Sequence, residues 1–264
     1  GHSHHTTLIA ELKNRDPRLL QTVPTPEAGE YTYYLEGKRP DIGKYTSGSV
    51  STSTGYGVIK YYNPSEYTSS HHIGTLDAPI FRYAEILLIR AEAGAELGQD
   101  PELDKTINAL RDRVGFNHHL TTNPIEDPKL VAEYPTIKGP NANLIREIRR
   151  ERRIELALEG FRYDDIMRWN AMKLFENPKT YLGMRVTDKV KALYQPEVFE
   201  GSTARDLIEY NGKTYIRMYS GKSLNEAGRK WTGNDKRLYY PIPTSQITLS
   251  ASHGSLLKQN PGWE

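Results

Sequence analysis

The 264-residue sequence contains no cysteine. This absence excludes disulfide frameworks, thiolate nucleophiles and cysteine-based zinc sites, but it does not identify a compartment. The sequence also lacks any apolar run close to the roughly 18 residues that a membrane-spanning helix needs. Its first thirty residues are polar and contain no basic stretch leading into an apolar one, so they do not resemble a signal peptide. We therefore expect this chain neither to cross a membrane nor to direct its own export.

An excess of charge of one sign is missing as well. Lys and Arg number 35 against 33 Asp and Glu, which gives a formal net charge of +2. Such a balance produces no global field that would concentrate nucleic acid or an anionic bilayer, and we expect no nucleic-acid partner. Phenylalanine is scarce, with 5 residues against 18 tyrosines. Rings with a polar tip suit wet binding surfaces.

Catalytic signatures are also missing. The Gly-Lys-Thr and Gly-Lys-Ser runs at 212–214 and 221–223 lack the first glycine of a phosphate-binding loop. No zinc-protease or serine-hydrolase motif occurs, and no histidines are spaced as a zinc ligand set. Adjacent carboxylates such as Asp164 and Asp165 rarely span the roughly 5–9.5 Å that glycoside hydrolysis requires, so we interpret them as helix caps. We expect no enzymatic activity, no metal and no cofactor.

Helical periodicity makes the predicted fold class mainly α. A helical hairpin is predicted over 78–115, with Asp77 as N-cap and Pro79 in the first turn of its first helix. That helix is expected to end at Gly98, and the second at Gly115. The stripe that should face the core of the first helix comprises Ile80, Tyr83, Ala84, Leu87, Leu88, Ala91 and Ala95. A hairpin of this size is the unit of tetratricopeptide-like repeats.

A third, long helix is predicted over 143–159, closed by Gly160. Through Glu159 this segment carries five Arg against four Glu, and pairs such as Glu147 with Arg150 stand at helical contact spacing. We predict a solvated or ion-paired helix face rather than a phosphate-binding surface. Short helices are expected later in the chain, with few short strands.

Residues 24–75 are rich in Pro, Gly, Ser, Thr and Tyr and lack a sustained helical period, so we predict a long irregular loop region. No shift of composition marks a second domain. The sequence therefore predicts one domain over 1–264.

Five segments, taken together in this order, resemble the SusD/RagB family of nutrient-binding outer-membrane lipoproteins. Four of them are Arg15-Asp16-Pro17-Arg18-Leu19, Arg82 to Ala93, Ile107 to Arg113 and Arg149 to Trp169, and the fifth is the tail, with Tyr240 to Ile247 and Leu257 to Trp263. The resemblance extends over nearly the whole chain, which corresponds to the C-terminal half of a member of that family.

The resemblance implies a tetratricopeptide-like helical scaffold with long irregular loops over one side, facing outward from the cell outer membrane. It implies a SusC-like TonB-dependent transporter as partner and an oligosaccharide, or in some members a peptide, as ligand, with no bond-breaking chemistry. The signal peptide, the lipid-bearing cysteine and the N-terminal half of the family are missing here. We therefore expect a fragment whose membrane contact is only through a lipid anchor outside it.

The motifs that carry the resemblance are architectural, so the ligand site has to be sought on physical grounds. A sugar offers an apolar face and hydroxyls, and its site needs exposed rings with amide and guanidinium donors. The loop region and one polar loop further along supply the candidate ligand-binding residues Tyr33, Tyr34, Tyr61, Tyr62, Arg39, Asn63 and Trp231. Trp169 and Trp263 lie in architectural motifs, and we interpret them as packing residues.

Two other classes of function stay open at this point. A helical-repeat interaction scaffold without small-ligand binding would expose an apolar groove on its helices, whereas a glycan binder would expose rings on loops. A glycosidase would need a cleft with two separated carboxylates and a perturbed pKa.

Overall fold

The protein is described by a computed structural model, which covers residues 8–12, 14–23, 26–27, 30–31, 52–61, 77, 79–201, 204–218, 229–233 and 235–264. The helices are α1 (Leu8–Leu12), α2 (Pro17–Leu20), α3 (Tyr83–Glu96), α4 (Ile107–Arg113), α5 (Pro128–Glu133), α6 (Ala142–Glu155), α7 (Arg162–Arg168), α8 (Asp188–Lys191) and α9 (Thr244–Ser252). Short 3₁₀ helices lie at Met172–Glu176, Pro178–Tyr181, Pro196–Val198 and Lys236–Leu238. The strands are β1 (Pro26–Glu27), β2 (Glu30–Tyr31), β3 (Leu182–Arg185), β4 (Leu207–Tyr210) and β5 (Lys213–Arg217). The predicted mainly α class with few short strands is confirmed.

The chain divides into two compact units. The first takes residues from Gly1–Arg162 and Tyr181–Gly221, and the second takes residues from Tyr163–Thr180 and Lys222–Glu264. Each unit has its own elements and internal contacts. The expectation of one domain over 1–264 stays a prediction.

The core of the first unit is a layer of helices in which α3 packs mainly on α6 and α4 lies beside them. Leu88 of α3, Ile107 of α4 and Ile148 of α6 are fully buried at its centre. Small side chains on α3, such as Ala91 and Ala95, allow close approach of the neighbouring helix and are themselves buried. The predicted pairing of helices around 78–115 is therefore present, although the helical bounds differ.

The first predicted helix begins later than the sequence indicates. Asp77 and Pro79 lie outside it, and α3 starts at Tyr83 after Arg82, whose backbone is extended (φ −142°, ψ 159°). The prediction of Asp77 as N-cap is wrong. The physical reason is tertiary: the Arg82 guanidinium is held by Glu155 and Glu159, at and just beyond the end of α6. These contacts override the local preference of Pro79 for a first helical turn.

The core-facing stripe of α3 is only partly as predicted. Ala84, Leu88, Ala91 and Ala95 are buried and Leu87 is partly buried, but Ile80 and Tyr83 are 92% and 73% exposed. A second apolar row is exposed and comprises Tyr83, Ile86 and Ile89 on α3 and Leu97 at its C-cap. We call these four residues the α3 surface stripe.

The connection from α3 to α4 is tight. Gly98 has a left-handed backbone (φ 68°), and the Gln99 N–H donates to the Gly94 carbonyl at 2.8 Å, as expected at a helix C-terminus. A Cβ atom on Gly94 would lie 2.9 Å from the Asp100 carbonyl oxygen and from the Pro101 Cα. Glycine at this position therefore lets the chain turn back closely against α3.

The long helix α6 is shorter than the predicted 143–159. It runs over Ala142–Glu155, and Leu158 already has a positive φ of 66°, so the chain leaves the helix before Gly160. Of the two predicted alternatives, a solvated or an ion-paired charged face, the structure has the ion-paired one. The charged residues of α6 that are buried are Arg146, Glu147, Arg149, Glu151, Arg152 and Glu155.

A small antiparallel sheet completes the first unit, with strand order β3-β5-β4. The β4–β5 hairpin turns at Asn211 and Gly212, both at positive φ, as a two-residue hairpin loop requires. Met184 and Ile216 lie at the centre of the associated core. Of the predicted loop region 24–75, the described part contains the two-residue strands β1 and β2 and is otherwise irregular.

The second unit contains α9, most of α7 and the C-terminal segment. Asp164 and Asp165 lie inside the first turn of α7, so neither is its N-cap, and Asp165 accepts a hydrogen bond from Arg168 Nε at 2.9 Å. Trp169 is buried, with the Arg168 guanidinium 4.7 Å from its ring centroid. Trp263 Nε1 donates to the carbonyls of residues 236 and 239. Both tryptophans thus make packing contacts, as their motifs indicate.

Candidate functional site

A buried network of ion pairs connects α6 to segments that are distant in the sequence. On α6, Glu151 accepts hydrogen bonds from Arg18 Nη1 at 2.6 Å and from Arg111 Nη2 at 2.6 Å. Arg18 is positioned by α2, whose N-cap Asp16 also bonds the Arg18 side chain. The helix α4 supplies Arg111. Glu151 therefore joins three elements of the first unit.

One turn further along α6, Glu155 accepts from three guanidinium groups. The distances are 3.0 Å from Arg18 Nη1, 2.6 Å from Arg82 Nη1 and 2.8 Å from Arg113 Nη2, and its side chain is 1% exposed. Beyond the end of the helix, Glu159 accepts from Arg82 at 2.7 Å and from Lys60 Nζ at 2.6 Å.

The two glutamates at this end are held in their ionised form. Burial alone would raise the pKa of Glu155, but the hydrogen bonds from Arg82 and Arg18 and the charge of Arg113 outweigh this effect, so the pKa of Glu155 is lowered from its ordinary value. Burial would also raise the pKa of Glu159. The hydrogen bonds from Arg82 and Lys60 outweigh this effect, so the pKa of Glu159 is lowered as well. A general acid needs a raised pKa, so these lowered pKa values do not suit either glutamate to that role.

A pocket of about 400 Å³ opens where this network reaches solvent. Its lining residues are Tyr61, Asp77, Pro79, Ile80, Phe81, Arg82, Leu158, Glu159 and Phe161. Three of them are aromatic, and Tyr61 and Phe81 are 46% and 72% exposed. The pocket thus combines accessible ring surface with charged hydrogen-bonding groups.

Tyr61 is positioned by the residue before it. The Lys60 ammonium donates to the carbonyls of Glu155 (3.1 Å) and Ala157 (2.7 Å) and to the Glu159 carboxylate, which ties this loop to the end of α6. Tyr61 itself has a left-handed backbone with φ 69°. Its hydroxyl hydrogen-bonds Glu159, and burial and that carboxylate raise the pKa of Tyr61, although Arg82 lowers it in part.

Phe81 and Phe161 complete the aromatic lining. Phe81 directly precedes the anchored Arg82, so the same ion pairs that delay the start of α3 hold the Phe81 ring at the pocket. Phe161 follows Gly160, which has φ 89°, and the Arg152 guanidinium lies 5.4 Å from the Phe161 ring centroid.

Of the sequence-predicted site residues, Tyr61 lines the pocket. Tyr33, Tyr34, Arg39, Tyr62 and Asn63 lie outside the described residues, and their ligand-binding role stays a prediction.

Trp231, the remaining predicted site residue, belongs to the second unit. Its backbone N–H donates to Glu176 at 2.6 Å, and the Arg237 guanidinium lies 4.8 Å from its ring centroid. One face of the Trp231 ring is therefore covered by Arg237, and its ligand-binding role also stays a prediction.

Sequence reasoning missed Phe81, Phe161, Arg82 and Glu159 as pocket residues. The predicted helical hairpin over 78–115 places Phe81 in the first turn of its first helix, and the other three lie in motifs that we interpret as architectural. Pro79, two residues before Phe81, was the signal that an extended segment could precede the helix.

Neither a metal-binding cluster nor a membrane-spanning helix occurs in the residues that the structure describes. Within them, no group of three or more His, Asp or Glu side chains could hold a metal ion. No helix in the same residues is both long and apolar enough to cross a membrane.

Comparison with known proteins adds to this geometry. The model of the SusD family matches residues 1–263. The SusD-like protein P38 of Formosa agariphila is 33% identical over 91 residues, which are 34% of this chain and 16% of that protein. The crystal structure of a SusD-like protein from Bacteroides fragilis matches 96% of this chain and 40% of its own, with 24% identity and a TM-score of 0.54. The solved structure shows the fold, and this chain spans less than half of its length.

Proposed function

This chain belongs to the SusD family, and we propose that it is a non-catalytic surface protein that binds oligosaccharide. Its ligand would pass to a SusC-like TonB-dependent transporter in the outer membrane. The whole protein would be a lipoprotein whose anchor lies outside this segment. Family membership supports a nutrient-binding role of this general kind, and the pocket supports the ligand class.

The observation that carries the proposal is the exposure of Tyr61 and Phe81 beside Arg82, Asp77 and Glu159 in one pocket. A sugar ring has apolar faces that stack on aromatic rings and hydroxyls that bond to charged groups. The rings lie on irregular segments, while the ion pairs with α6 hold those segments in place. This arrangement suits recognition of a polar ligand with apolar faces.

The carboxylate chemistry of the pocket favours binding over hydrolysis. Glycoside hydrolysis needs one carboxylic acid that keeps its proton near neutral pH. Glu159 has a lowered pKa and accepts from both Arg82 and Lys60. We propose on this ground that a bound glycan is not hydrolysed and is released unchanged.

The expected affinity per ring is modest. An aromatic contact contributes about 0.5–1.5 kcal/mol beyond the area that it buries, so removing one ring should weaken binding by roughly fivefold or more. Calorimetric titration of an oligosaccharide panel, with short peptides included, tests this in the unsubstituted chain and in Tyr61→Ala and Phe81→Ala.

The matched control is Tyr239→Ala, which removes an exposed tyrosine that does not line the pocket. Unchanged affinity in both pocket variants would refute the pocket as the site. Binding of peptides in place of sugars would identify a peptide-binding member of the family instead.

A second candidate function is favoured by the α3 surface stripe. Tyr83, Ile86, Ile89 and Leu97 form an exposed apolar row, which is the surface expected of a helical scaffold that binds protein. Sedimentation velocity at several concentrations tests this candidate with a second copy of the chain as the protein that is bound. Association that Ile86→Glu abolishes, together with no sugar binding, would support the scaffold, whereas sugar binding that Tyr61→Ala weakens would support the first proposal.

A further inference from the structure

The cations at the pocket are already engaged by protein acceptors. The Lys60 ammonium has three N–H donors, and it bonds to three oxygens: the Glu155 and Ala157 carbonyls and the Glu159 carboxylate. No donor of Lys60 therefore remains for a ligand while these contacts hold.

Arg82 is engaged in the same way. Its Nε and Nη2 donate to the two carboxylate oxygens of Glu159, its Nη1 donates to Glu155, and its Nη2 also donates to the Glu155 carbonyl. A guanidinium group has five N–H donors, so four of the five are occupied. Arg82 cannot offer the two parallel N–H groups by which arginine grips a carboxylate or a sulfate.

The pocket lining carries more negative than positive charge among its described residues. Among the described residues that line the pocket, the single guanidinium of Arg82 stands against the carboxylates of Asp77 and Glu159. Asp77 is exposed, whereas the Glu159 side chain is 6% exposed. Among these lining residues, an approaching anion would therefore meet the exposed carboxylate of Asp77, while the guanidinium of Arg82 is already bonded to Glu155 and Glu159.

We propose that this pocket selects uncharged oligosaccharides and disfavours those that carry uronate or sulfate groups, an inference that rests on the proposed glycan-binding function. Sugar hydroxyls donate hydrogen bonds to carboxylates and leave the ion pairs of Arg82 and Lys60 intact. An anionic group would have to displace Glu159 from Arg82. That displacement leaves a nearly buried carboxylate with fewer partners, which is costly.

The test is calorimetric titration of the chain with matched pairs of oligosaccharides, each pair sharing one backbone and differing only in sulfation or in oxidation to the uronate. We expect the neutral member to bind at least tenfold more tightly at low ionic strength. Added salt should reduce this difference because exposed charges are screened.

Two substitutions separate the pocket charge from the net charge of the protein. Asp77→Asn should narrow the difference between the paired sugars, and Tyr61→Ala should weaken binding of the neutral member. Glu126→Gln changes the net charge equally at an exposed position outside the pocket and should leave the difference unchanged.

An anionic member that binds as tightly as its neutral match, or more tightly, overturns the inference while leaving glycan binding intact. If no oligosaccharide of either class binds, the proposed function itself is refuted together with the inference. The two failures are therefore distinguishable in one set of titrations.

Discussion

Replacing Glu155 by glutamine tests the ion-pair network on which the pocket depends. The substitution keeps the shape of the side chain but removes a charge that accepts from Arg18, Arg82 and Arg113. Arg18 and Glu155 are both nearly buried, with side chains 6% and 1% exposed. Glu155→Gln therefore takes one carboxylate partner away from the buried Arg18 and from the more exposed Arg82 and Arg113.

The magnitude follows from that burial. Removing one member of a buried ion pair costs about 3–5 kcal/mol, because the remaining charge stays buried and uncompensated. Arg18 keeps Asp16 and Glu151, and Arg82 keeps Glu159, so we expect a loss at the lower end of this range, about 3 kcal/mol, in the free energy of unfolding. Arg113→Gln removes a half-exposed partner of the same carboxylate, so it should also lower the free energy of unfolding, but by less than Glu155→Gln.

Urea unfolding followed by circular dichroism at 222 nm is the suitable assay. The helices of the network lie in the first unit, whereas all three tryptophans, at 169, 231 and 263, lie in the second. Tryptophan fluorescence would therefore report on the wrong unit. The matched control is Glu102→Gln, which removes the exposed ion pairs with Arg90 and Lys105 and should leave the midpoint close to that of the unsubstituted chain.

Equal midpoints for Glu155→Gln and Glu102→Gln would refute the reasoning. They would mean that the carboxylate of Glu155 is accessible to water or that its three contacts do not form. If Glu155→Gln is too unstable to purify, the comparison of Arg113→Gln with Glu102→Gln decides the same point.

Three further predictions concern stability. Because the pKa of Glu155 is lowered in the folded state, its contribution to the free energy of unfolding is complete above about pH 4.5 and is lost as the pH falls through the folded pKa. The unfolding curves of Glu155→Gln and of the unsubstituted chain should therefore converge in acid. A difference in free energy of unfolding that stays constant with pH would contradict this. Asn108→Ala removes the amide that bonds both the N–H and the carbonyl of buried Leu120, which should cost about 1–3 kcal/mol for each group left unpaired, and an unchanged urea midpoint would contradict it. Gly183→Ala places a Cβ atom 2.8 Å from the Thr54 carbonyl oxygen and should cost about 1–3 kcal/mol, whereas Gly233→Ala meets nothing within 4 Å and should be neutral; similar melting temperatures for the two would contradict the packing.

Much of the helical layer is predictable from the sequence because its signals are local. The spacing of Ala84, Leu88, Ala91 and Ala95 predicts the buried side of α3, and Gly98 predicts its end. The pairing of Glu147 with Arg150 is likewise visible at helical spacing and is present.

The burial of the charged residues on α6 could not be predicted in the same way. The partners of Glu151 and Glu155 come from Arg18, Arg82 and Arg111, which stand 40 to 137 positions away in the sequence. Periodicity within one helix contains no record of such partners. The pattern of mixed charges on α6 therefore predicts an exposed face, because the arginines that pair with it lie far away in the sequence.

The candidate site was only partly predictable for the same reason. Tyr61 was identified because aromatic residues in a polar loop are candidates for stacking. Phe81 was missed because Pro79 and the apolar residues after it suggest a helical start, which the long-range contacts of Arg82 prevent. The pocket arises where two segments meet at the end of α6, and that meeting is a tertiary feature.

The most direct measurement of the central claim is a crystal structure of the chain with a bound neutral oligosaccharide. The account predicts a sugar ring in contact with Tyr61 or Phe81, with hydroxyls bonded to Asp77 or Glu159 and the ion pairs of Arg82 unbroken. Sugar bound only at Trp231 in the second unit, with the pocket empty at saturating concentration, would contradict it.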